Sequence, residues 1–430
     1  MTEAVATHPE GSSKAPRVSF FTLGCRLNQY DTAALRARLL GEGYREVEGS
    51  PDVIVVNTCT VTGRADQEAR QLLRKLHREN PEARLVATGC YAQRAPEELR
   101  AMPGVSAVLG SAEREDPESI RRAVAGEAVP VGPGRAARPF ATPAPLHVGR
   151  SRALLKIQDG CDSFCSYCVV PYVRGRSRSL PATEVLERAG RLLEAGFAEI
   201  VLTGADLGSY PRLASLVESI LALGPGHRVR LSSIEPHKMD PALVGMIGAE
   251  PRLCRHLHLP LQSGSNRILG AMRRGYTREG YGGLLDRVAA RGPVGIGADV
   301  IVGFPGEGEA EFVDTLRFVE RSPITFLHVF RYSSRPGTAA ARLQDVPPDS
   351  VVRDRAERLR ALGEAKTRAF RRSFLGATLP VVWERGVGRR GRVAMSDVYV
   401  SIEVERETED EGGVFEVRVH DEEGDRLVAT

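Results

Sequence analysis

Short apolar runs alternate with amphipathic helical segments along most of the chain. The runs at 18–24, 53–59 and 84–90 are typical of β-strands, and each is followed by a segment with helical periodicity. Apolar runs of this length that alternate with helices indicate βαβ units and a parallel sheet. Residues 16–125 are therefore predicted to form an N-terminal parallel-sheet α/β domain.

A stretch rich in proline and glycine interrupts this alternation. Residues 128–146 contain five prolines and two glycines, a composition that no packed element tolerates. An extended linker is therefore predicted over 126–150. Residues 1–15 lack the apolar core of a signal peptide and are expected to form a disordered tail.

A second series of strands and helices begins at residue 151. Its six apolar runs lie at 153–158, 199–204, 228–233, 256–261, 296–303 and 326–332. Six strands separated by helical segments predict a partial (β/α)6 barrel over 151–370, which lacks the last two units of a complete barrel. An open doubly wound sheet is the alternative layout.

The last part of the chain, residues 371–430, changes pattern again. Apolar and polar residues alternate in 398–404 and 414–420, with a pair of glycines between the two runs, which predicts a small antiparallel β module. Residues 365–394 carry eight Lys or Arg against one Glu, whereas 401–430 carry eleven acidic residues against three Arg. One side of this module is expected to be basic and its far end acidic.

Composition and charge exclude some classes of protein but select none. Hydrophobic residues are 42% and charged residues 27% of the 430, which are ordinary values for a folded soluble protein. The net charge of +4 is too small to indicate a nucleic-acid partner by itself. Because no apolar run approaches the roughly 18 residues of a membrane span, a cytoplasmic protein with no membrane partner is expected.

Three of the seven cysteines lie close together, immediately after the first strand of the second series. Since no export signal is seen, metal or redox roles are expected rather than disulfides. Cys161, Cys165 and Cys168 are spaced so that one loop can wrap three thiolates around a 4Fe–4S cluster, leaving the fourth iron open. A zinc knuckle or three buried cysteines are the alternatives. A zinc site usually has a fourth protein ligand, and the next Cys or His is His227.

Three other cysteines share one position relative to the predicted strands. Cys25, Cys59 and Cys90 each end a strand of the N-terminal domain, so their thiols should face the same edge of the parallel sheet. Three buried apolar cysteines would be the alternative, but their shared position favours a second 4Fe–4S cluster with one open iron. Cys254 has no partner and is interpreted as structural.

The motifs taken together resemble those of a known family. CDSFCSYC matches the CxxxCxxC signature of radical S-adenosylmethionine enzymes. Further matching segments are TLGCRLNQYDT, VVNTCTVT, TGCYAQ, KIQDGC, VVPYVRGRSRS, LPLQSGSNRILGAMRRGYT and DVIVGFPGE. From about residue 17 to 370 the chain is similar to a methylthiotransferase of that superfamily, and the C-terminal module resembles the RNA-binding TRAM domain. The acidic tail departs from what an RNA binder should show.

The resemblance implies cofactors and a role for each cysteine triad. Cys161, Cys165 and Cys168 would hold the radical-generating cluster that binds S-adenosylmethionine, and the N-terminal triad would hold an auxiliary cluster that donates sulfur. S-adenosylmethionine is predicted to contact Tyr167 of the cysteine motif and a set of strand-end residues: Thr203, Gly204, Ser233, Glu235, Gln262 and Gly303. Each strand-end residue is equally explained as a turn residue. A flavodoxin or ferredoxin would be the electron donor, and the sulfur source stays open.

Basic residues flank the predicted mouth of the barrel. Arg174, Arg176 and Arg178 follow the cysteine loop, and Arg273 and Arg274 follow the fourth strand. Arginines near an aromatic residue suit phosphate contact and base stacking on single-stranded RNA, which predicts contact with a tRNA anticodon loop. A solvated charged surface is the alternative. By contrast, the histidines of the fourth strand, His256 and His258, are interpreted as polar groups of the barrel core rather than catalytic residues.

The function predicted from the resemblance is methylthiolation of carbon 2 of N-6-threonylcarbamoyladenosine at tRNA position 37. That substrate carries a carboxylate, for which Arg174, Arg176 and Arg178 could supply positive charge, whereas an isopentenyl group would favour an apolar lining. N-6-isopentenyladenosine at the same position is the main alternative substrate. Less favoured are a ribosomal-protein target and a non-catalytic Fe–S protein that binds RNA.

Overall fold

The computed structural model describes residues 15–133, 151–387, 391–405 and 413–430. The predicted N-terminal tail, except its last residue, and most of the predicted linker lie outside these residues. No helix in the described part of the chain is both long enough and apolar enough to cross a membrane.

A five-stranded parallel sheet with helices on both faces forms the N-terminal domain. Its elements are β1 (Arg17–Thr22), α1 (Arg26–Gly41), β2 (Arg45–Glu46), β3 (Val53–Thr58), α2 (Gly63–Glu79), β4 (Arg84–Gly89), α3 (Cys90–Arg94), α4 (Pro96–Arg100), β5 (Val105–Leu109) and α5 (Pro117–Ala125). The strand order is β2-β1-β3-β4-β5, and all neighbouring pairs are parallel. The chain changes direction across the sheet between β1 and β3, and such a switch point opens a crevice at the carboxyl ends of the strands.

Local sequence explains why these elements form. Every residue of β3, VIVVNT, is buried, as expected for a strand covered by helices on both faces. The next helix, α2, begins at Gly63 because the side chain of Thr62 accepts a hydrogen bond from the backbone N–H of Ala65. Its apolar residues Leu73 and Leu76 pack against the sheet.

The central domain contains six main parallel strands with helices between them. Its elements are β6 (Arg152–Lys156), β7 (Gln158–Asp159), α6 (Val170–Val173), β8 (Arg178–Ser179), α7 (Ala182–Glu194), β9 (Glu199–Thr203), α8 (Leu213–Leu221), β10 (Arg228–Leu231), α9 (Pro241–Met246), β11 (His256–His258), α10 (Asn266–Ala271), α11 (Arg278–Ala289), β12 (Gly295–Val302), α12 (Glu309–Arg321), β13 (Phe326–Arg331) and α13 (Asp349–Arg372).

These strands form a partial barrel. They make two three-stranded sheets, β10-β9-β6 and β11-β12-β13, and parallel bridges Val229–Leu253 and Ser233–His258 join the two halves. The order around the array is therefore sequential, β6-β9-β10-β11-β12-β13, as in a (β/α) barrel, whereas a doubly wound sheet would reverse direction. The predicted partial (β/α)6 barrel is confirmed.

The C-terminal module is a closed five-stranded barrel. Its strands are β14 (Thr378–Val387), β15 (Arg392–Ser396), β16 (Ser401–Val404), β17 (Phe415–Glu423) and β18 (Arg426–Ala429), arranged as β14-β15-β16-β18-β17. The predicted runs correspond to β16 and β17. The parallel pairing of β16 with β18 departs from the expected purely antiparallel module, because β18 returns along β16 to close the barrel.

The turn between β15 and β16 closes the base of the central barrel. The Val398 carbonyl lies so close to Gly295, the first residue of β12, that a Cβ there would be 2.3 Å from the oxygen. The Tyr399 ring stacks on His256 at the start of β11, with 4.3 Å between centroids, and meets the edge of Phe326 at the start of β13. The base of the barrel is therefore filled by the module.

A buried ion cluster attaches the module to the barrel. The Glu199 carboxylate, fully buried at the start of β9, accepts hydrogen bonds from Arg228 (2.7 Å) and Arg230 (2.7 Å). Although burial alone would raise it, the attraction of both arginines holds the pKa of Glu199 well below its usual value. Arg230 also donates to the carbonyls of Ser396 (2.8 Å) and Asp397 (3.1 Å). The buried charges are thus paired, as buried charges must be.

Candidate active site

The first cysteine triad lies in the loop after β7, at the carboxyl edge of the barrel. Cys165 is buried, and Cys161 and Cys168 are half-buried. The Cys168 N–H donates to the Cys165 carbonyl at 3.0 Å, which closes a tight turn. Gly160 has a φ of +73°, and a Cβ on it would lie 2.1 Å from the Arg176 carbonyl oxygen, so this position requires glycine. The loop is also tied to neighbouring segments, because the Ser166 N–H donates to the Met272 carbonyl at 3.0 Å and the Ser166 carbonyl accepts from the Ala340 N–H at 2.7 Å.

The second triad is assembled from three strand ends of the N-terminal domain. Cys25 follows β1 and caps α1, Cys59 follows β3, and Cys90 follows β4 as the first residue of α3. Cys59 and Cys90 are buried, whereas Cys25 is exposed. Because β1 and β3 flank the switch point, the three residues stand at the crevice where such sheets bind ligands. The three cysteines therefore lie at one edge of the parallel sheet.

The donor sets of the two triads fit iron–sulfur clusters. Cysteine thiolates are the usual ligands of such clusters, and each triad offers three of them. A separate candidate ligand group lies elsewhere in the barrel. Among the described residues, the donor atoms of His258, Asp299 and His328 all lie within 4.8 Å of one another.

Burial gives five thiols of the two triads an unusually low acidity in the free chain. It raises the pKa of Cys59 to about 12 and that of Cys168 to about 12. The pKa values of Cys90, Cys161 and Cys165 are also raised by burial. A metal ligand must be a thiolate, so these sulfurs become ligands only when positive charge is brought to them.

An arginine stands beside each triad. Arg274 Nη1 lies 3.1 Å from Cys165 Sγ, and its charge partly offsets the effect of burial on the pKa of that thiol. Burial alone would lower the pKa of Arg174, but the surrounding groups hold it well above the usual value: Cys90, Asp159, Asp31 and Cys25. Both sites are therefore suited to hold an anionic group coordinated by thiolates.

Arg174 is part of a buried ion network that joins the two domains. Its guanidinium binds Asp31 of α1 (3.1 Å), Asp159 of β7 (3.0 Å) and Asn28 Oδ1 (2.7 Å). Lys156 of β6 binds Asp31 as well, at 2.6 Å. These contacts fix the N-terminal domain, with its triad, against the barrel. The RNA contact predicted for Arg174 is corrected, because the side chain is buried and directed at two carboxylates.

The other predicted RNA contacts divide into exposed and internal residues. Arg176 has a side chain that is 74% exposed and pairs with Asp162, and Arg273 is also exposed. Arg178 is largely buried against Glu115 (3.3 Å). The Arg274 side chain is 2% exposed and is directed at the cysteine loop and Glu235. Because their side chains are buried, Arg174, Arg178 and Arg274 are not placed to make the RNA contacts predicted for them.

Two glycines among the predicted cofactor residues are explained by neighbouring side chains. Gly204 follows Thr203, the buried last residue of β9, and a Cβ on Gly204 would lie 2.7 Å from Gln158 Oε1. Gly303 follows β12 with a φ of +77°, and a Cβ there would meet Val352 of α13 at 2.5 Å. Packing inside the chain, rather than approach to a ligand, accounts for both glycines.

The remaining predicted cofactor residues surround the cysteine loop. Glu235 is half-buried and accepts a hydrogen bond from Arg274 Nη2, and its pKa is raised by burial despite that contact. Tyr167 Oη lies 3.4 Å from Arg274 Nη1. Ser233 is exposed beyond β10, and Gln262, with a φ of +64°, follows β11 and lines a cavity described below. All four lie on the carboxyl side of the barrel.

An ion pair beside the cysteine loop, Asp206 with Lys238, is not among the site residues predicted from the sequence. Asp206 Oδ2 accepts a hydrogen bond from Lys238 Nζ at 2.5 Å and lies 3.6 Å from Cys161 Sγ. Lys238 also donates to Ser163 Oγ (3.2 Å) and Ser209 Oγ (2.9 Å). The signal for Asp206 is its place two residues after Gly204 at a strand end, where ligand contacts are common in such barrels.

A cavity of about 190 Å³ is lined by the loops of both triads. Val61 and Thr62, from the loop that follows the second cysteine of the N-terminal triad, form one wall. Cys168 of the barrel triad lies on another, and Asp299 and Phe330 of β12 and β13 complete the lining. Val61 and Phe330 are exposed apolar residues. A molecule in this cavity would contact both cysteine loops at once.

The barrel, the three-cysteine loop at its carboxyl edge and the family models agree on a class of protein. Residues 155–319 match the radical SAM superfamily, and residues 17–110 match the uncharacterized protein family UPF0004. The fold is similar to that of the radical S-adenosylmethionine methyltransferase TsrM from Kitasatospora setae, with a TM-score of 0.57 at 17% identity over 80% of this chain and 84% of that one. The chain is a radical S-adenosylmethionine enzyme.

Curated relatives narrow the class to a family. The threonylcarbamoyladenosine tRNA methylthiotransferase MtaB of Aquifex aeolicus is 39% identical over 82% of this chain and 89% of the relative. MtaB of Bacillus subtilis is 38% identical over 85% and 84%. The tRNA-2-methylthio-N(6)-dimethylallyladenosine synthase of Syntrophotalea carbinolica is 36% identical over 86% and 88%. The chain belongs to the methylthiotransferases of the radical SAM superfamily and is an enzyme that transfers methylthio groups, with S-adenosylmethionine and a 4Fe–4S cluster as cofactors.

Proposed function

We propose that this enzyme methylthiolates carbon 2 of N-6-threonylcarbamoyladenosine at position 37 of tRNA. The observation that carries the proposal is the cavity between the two cysteine loops, because a base placed there would contact Cys168 of one triad and Val61 and Thr62, which follow Cys59 of the other. The names of the Aquifex aeolicus and Bacillus subtilis relatives support this adenosine as the substrate. The base next to an anticodon lies in a single-stranded loop and can enter a cavity without the opening of a duplex.

The six cysteines of the two triads are the proposed ligands of two 4Fe–4S clusters. When bound, the clusters and S-adenosylmethionine supply a 5′-deoxyadenosyl radical and the methylthio sulfur. Three protein ligands per site leave one iron position open in each. A flavodoxin or ferredoxin is the proposed class of electron donor.

The chain's own residues would then orient the reactants and exclude water. Asp206 and Lys238 present opposite charges beside Cys161 and suit the ammonium and carboxylate of the methionine portion of S-adenosylmethionine. Arg274 and Arg174 stabilise negative charge on the two sets of thiolates. Val61 and Phe330 give the cavity apolar walls, which restrict water at the reacting carbon.

Binding of the tRNA is assigned to the C-terminal module and to arginines near the cavity. Arg176 and Arg273 are exposed on the same side of the barrel as the cysteine loop. The basic stretch 365–394 covers the first strands of the module. Phosphate contacts of this kind position an RNA without reading its sequence.

A second candidate substrate is N-6-dimethylallyladenosine. The Syntrophotalea carbinolica relative carries that substrate in its name, and apolar residues such as Val61, Ile301 and Phe330 line part of the cavity. An apolar lining suits a prenyl group. The two candidates differ in whether the substituent on the base bears a carboxylate.

The test is product formation on tRNAs that bear only one of the two modifications. Enzyme reconstituted anaerobically with iron and sulfide is incubated with each tRNA, S-adenosylmethionine and a reductant, and the nucleosides are analysed by mass spectrometry. Methylthio product from threonylcarbamoyladenosine tRNA supports the proposal. Product from dimethylallyladenosine tRNA alone would assign the second candidate, and a variant with Cys59→Ala serves as the inactive control.

A further inference from the structure

Three side chains on neighbouring strands of the barrel form a group that the proposed chemistry does not use. His258 ends β11, Asp299 lies within β12, and His328 lies within β13. The strand register pairs Asp299 directly with His328, and His258 with Gly297, two residues before Asp299 on the same face. Gly297 makes room for the group, since a Cβ there would lie 2.6 Å from His258 Nδ1.

Both imidazoles bind the same carboxylate oxygen. His258 Nε2 lies 3.0 Å and His328 Nδ1 lies 3.2 Å from Asp299 Oδ1, and the two rings stack with 5.3 Å between centroids. A neutral imidazole has one N–H, so each ring can donate to Asp299 through the nitrogen named here. His258 Nδ1 and His328 Nε2 are then left for other partners.

The two histidines differ in exposure. The His258 side chain is 13% exposed, whereas that of His328 is 61% exposed. The hydrogen bond to Asp299 raises the pKa of His328, although burial and nearby Arg26 oppose the rise. A protonated His328 has an N–H on Nε2 that Asp299 does not use. The exposed ring of His328 is held by the half-buried carboxylate of Asp299, which also contacts the less exposed His258.

The location of the group connects it to the substrate cavity. Asp299 lines the cavity that both cysteine loops border, together with Gln262 and Phe330, the second residue after His328. By the two-residue period of a strand, Phe330 and His328 share a face of β13. A base in the cavity would therefore lie against Asp299, whose carboxylate contacts both histidines.

We propose that His258, Asp299 and His328 form the subsite for the polar substituent on the substrate base, with His328 donating a hydrogen bond to its carboxylate. This inference rests on the proposed function, because only the threonylcarbamoyl group carries a carboxylate. Asp299 positions the His328 ring and balances its charge, and Arg26 adds positive potential nearby. A site built to hydrogen-bond one substituent discriminates against an analogue that lacks it, because its polar groups are left unpaired.

The first experiment compares His328→Phe with His328→Gln in the reconstituted enzyme. Phenylalanine keeps the ring volume without a donor, whereas glutamine keeps a neutral donor. For tRNA bearing threonylcarbamoyladenosine, His328→Phe should lower kcat/KM about 10- to 100-fold, the usual effect of losing a hydrogen bond to a charged group. His328→Gln should recover part of the loss. Iron content and the melting temperature of each variant report whether it folds and is loaded.

The second experiment measures binding without turnover. The dissociation constants of anticodon stem-loops with threonylcarbamoyladenosine or unmodified adenosine are compared in the absence of S-adenosylmethionine. The wild type should bind the modified stem-loop more tightly than the unmodified one. In His328→Phe the two dissociation constants should differ by no more than about twofold, because only the contact to the substituent is removed. Affinity for the unmodified stem-loop should stay within about twofold of the wild type.

Three outcomes would overturn the inference. One is an equal loss of affinity for both stem-loops, which would indicate a structural role. Another is an unchanged preference in His328→Phe. The third is one divalent ion per chain beyond the cluster iron that is lost in this variant, since two histidines and a carboxylate are also a known metal-ligand set. A wild-type enzyme inactive on threonylcarbamoyladenosine tRNA would instead refute the proposed function.

Discussion

The two cysteine triads reach similar environments by opposite routes. Cys161, Cys165 and Cys168 come from one loop whose turns are closed by its own backbone, whereas Cys25, Cys59 and Cys90 come from three strand ends. The first arrangement depends on local geometry. The strand-end triad is assembled only when the whole N-terminal sheet is folded in its register. Metal binding by this triad should therefore depend on the folding of that domain.

The charged residues beside the two triads also differ, since one set is local and the other spans two domains. Beside the loop triad, one arginine, Arg274, is paired with one carboxylate, Glu235. Near the strand-end triad, Arg174 belongs to a network with Asp31, Asp159 and Lys156 that spans two domains. Loss of a charge should therefore act locally at the first triad and on domain docking at the second.

Replacement of single cysteines should separate the two triads most completely. Cys→Ala at 161, 165 or 168 should abolish cleavage of S-adenosylmethionine, because the three-ligand loop is then incomplete. Cys→Ala at 25, 59 or 90 should leave cleavage intact and abolish methylthio product. Deoxyadenosine and modified nucleosides are measured in the same reaction. Methylthio product from a Cys59→Ala enzyme would contradict the assignment of the strand-end triad.

Arg174→Met should destabilise the protein by about 3–5 kcal/mol, because it leaves buried carboxylates without their partner. The control is Arg176→Met, two residues further along, whose exposed guanidinium should contribute less than about 0.5 kcal/mol. Urea unfolding of both variants gives the comparison, and iron content after reconstitution shows whether the strand-end triad is lost first. Equal stability of the two variants would mean that the buried network does not hold the domains together.

Thiol reactivity should distinguish exposed from buried members within the strand-end triad. In cluster-free protein at pH 8, the raised pKa of Cys59, about 12, keeps it almost entirely as the unreactive thiol. Iodoacetamide should therefore modify exposed Cys25 at least about tenfold faster than Cys59. The rate at Cys59 should rise with pH up to that pKa. Peptide mass spectrometry over time gives both rates, and comparable rates would show that the cluster-free domain is open.

The smallest effect is expected from the basic stretch 365–394, which is the proposed tRNA contact of the C-terminal module. Changing Arg385, Arg389 and Arg390 to glutamine should weaken tRNA binding several-fold, because fewer phosphates are neutralised. In a plot of the logarithm of the binding constant against the logarithm of the salt concentration, the slope should become shallower by roughly 0.7 for each phosphate that is no longer bound. Filter binding at several salt concentrations measures the affinity and its dependence on salt. The control is Arg121→Gln, at an exposed position of α5. Unchanged affinity in the triple variant would mean that this stretch is only solvated surface.

Several features can be predicted from the sequence because they depend on position along strands. The common edge of Cys25, Cys59 and Cys90 follows from their place at strand ends in a parallel sheet. The sequential order of six apolar runs predicts a barrel in the same way. By contrast, β14 and β15 are not visible as alternating runs, since Val382 and Met395 interrupt the alternation by packing against Ala198 of the central barrel. The strand β18 has only four residues, too few for a clear pattern.

Other features depend on contacts between distant elements. Arg174 and its partner Asp31 are 143 positions apart, and nothing near either residue signals that they meet. The grouping of His258, Asp299 and His328 likewise depends on strand register. An arginine that follows a cysteine loop therefore cannot be assigned to RNA or to the interior from its local sequence alone.

The turn of the C-terminal module that fills the base of the barrel limits how freely this module can be exchanged. A domain on a flexible tether can be transplanted between enzymes without loss of the host's core. Here Tyr399 covers His256, and the carbonyls of Ser396 and Asp397 serve Arg230. A chimera would therefore have to carry Arg230 and the matching barrel floor together with the module, so the barrel and the C-terminal module would have to be exchanged as one unit.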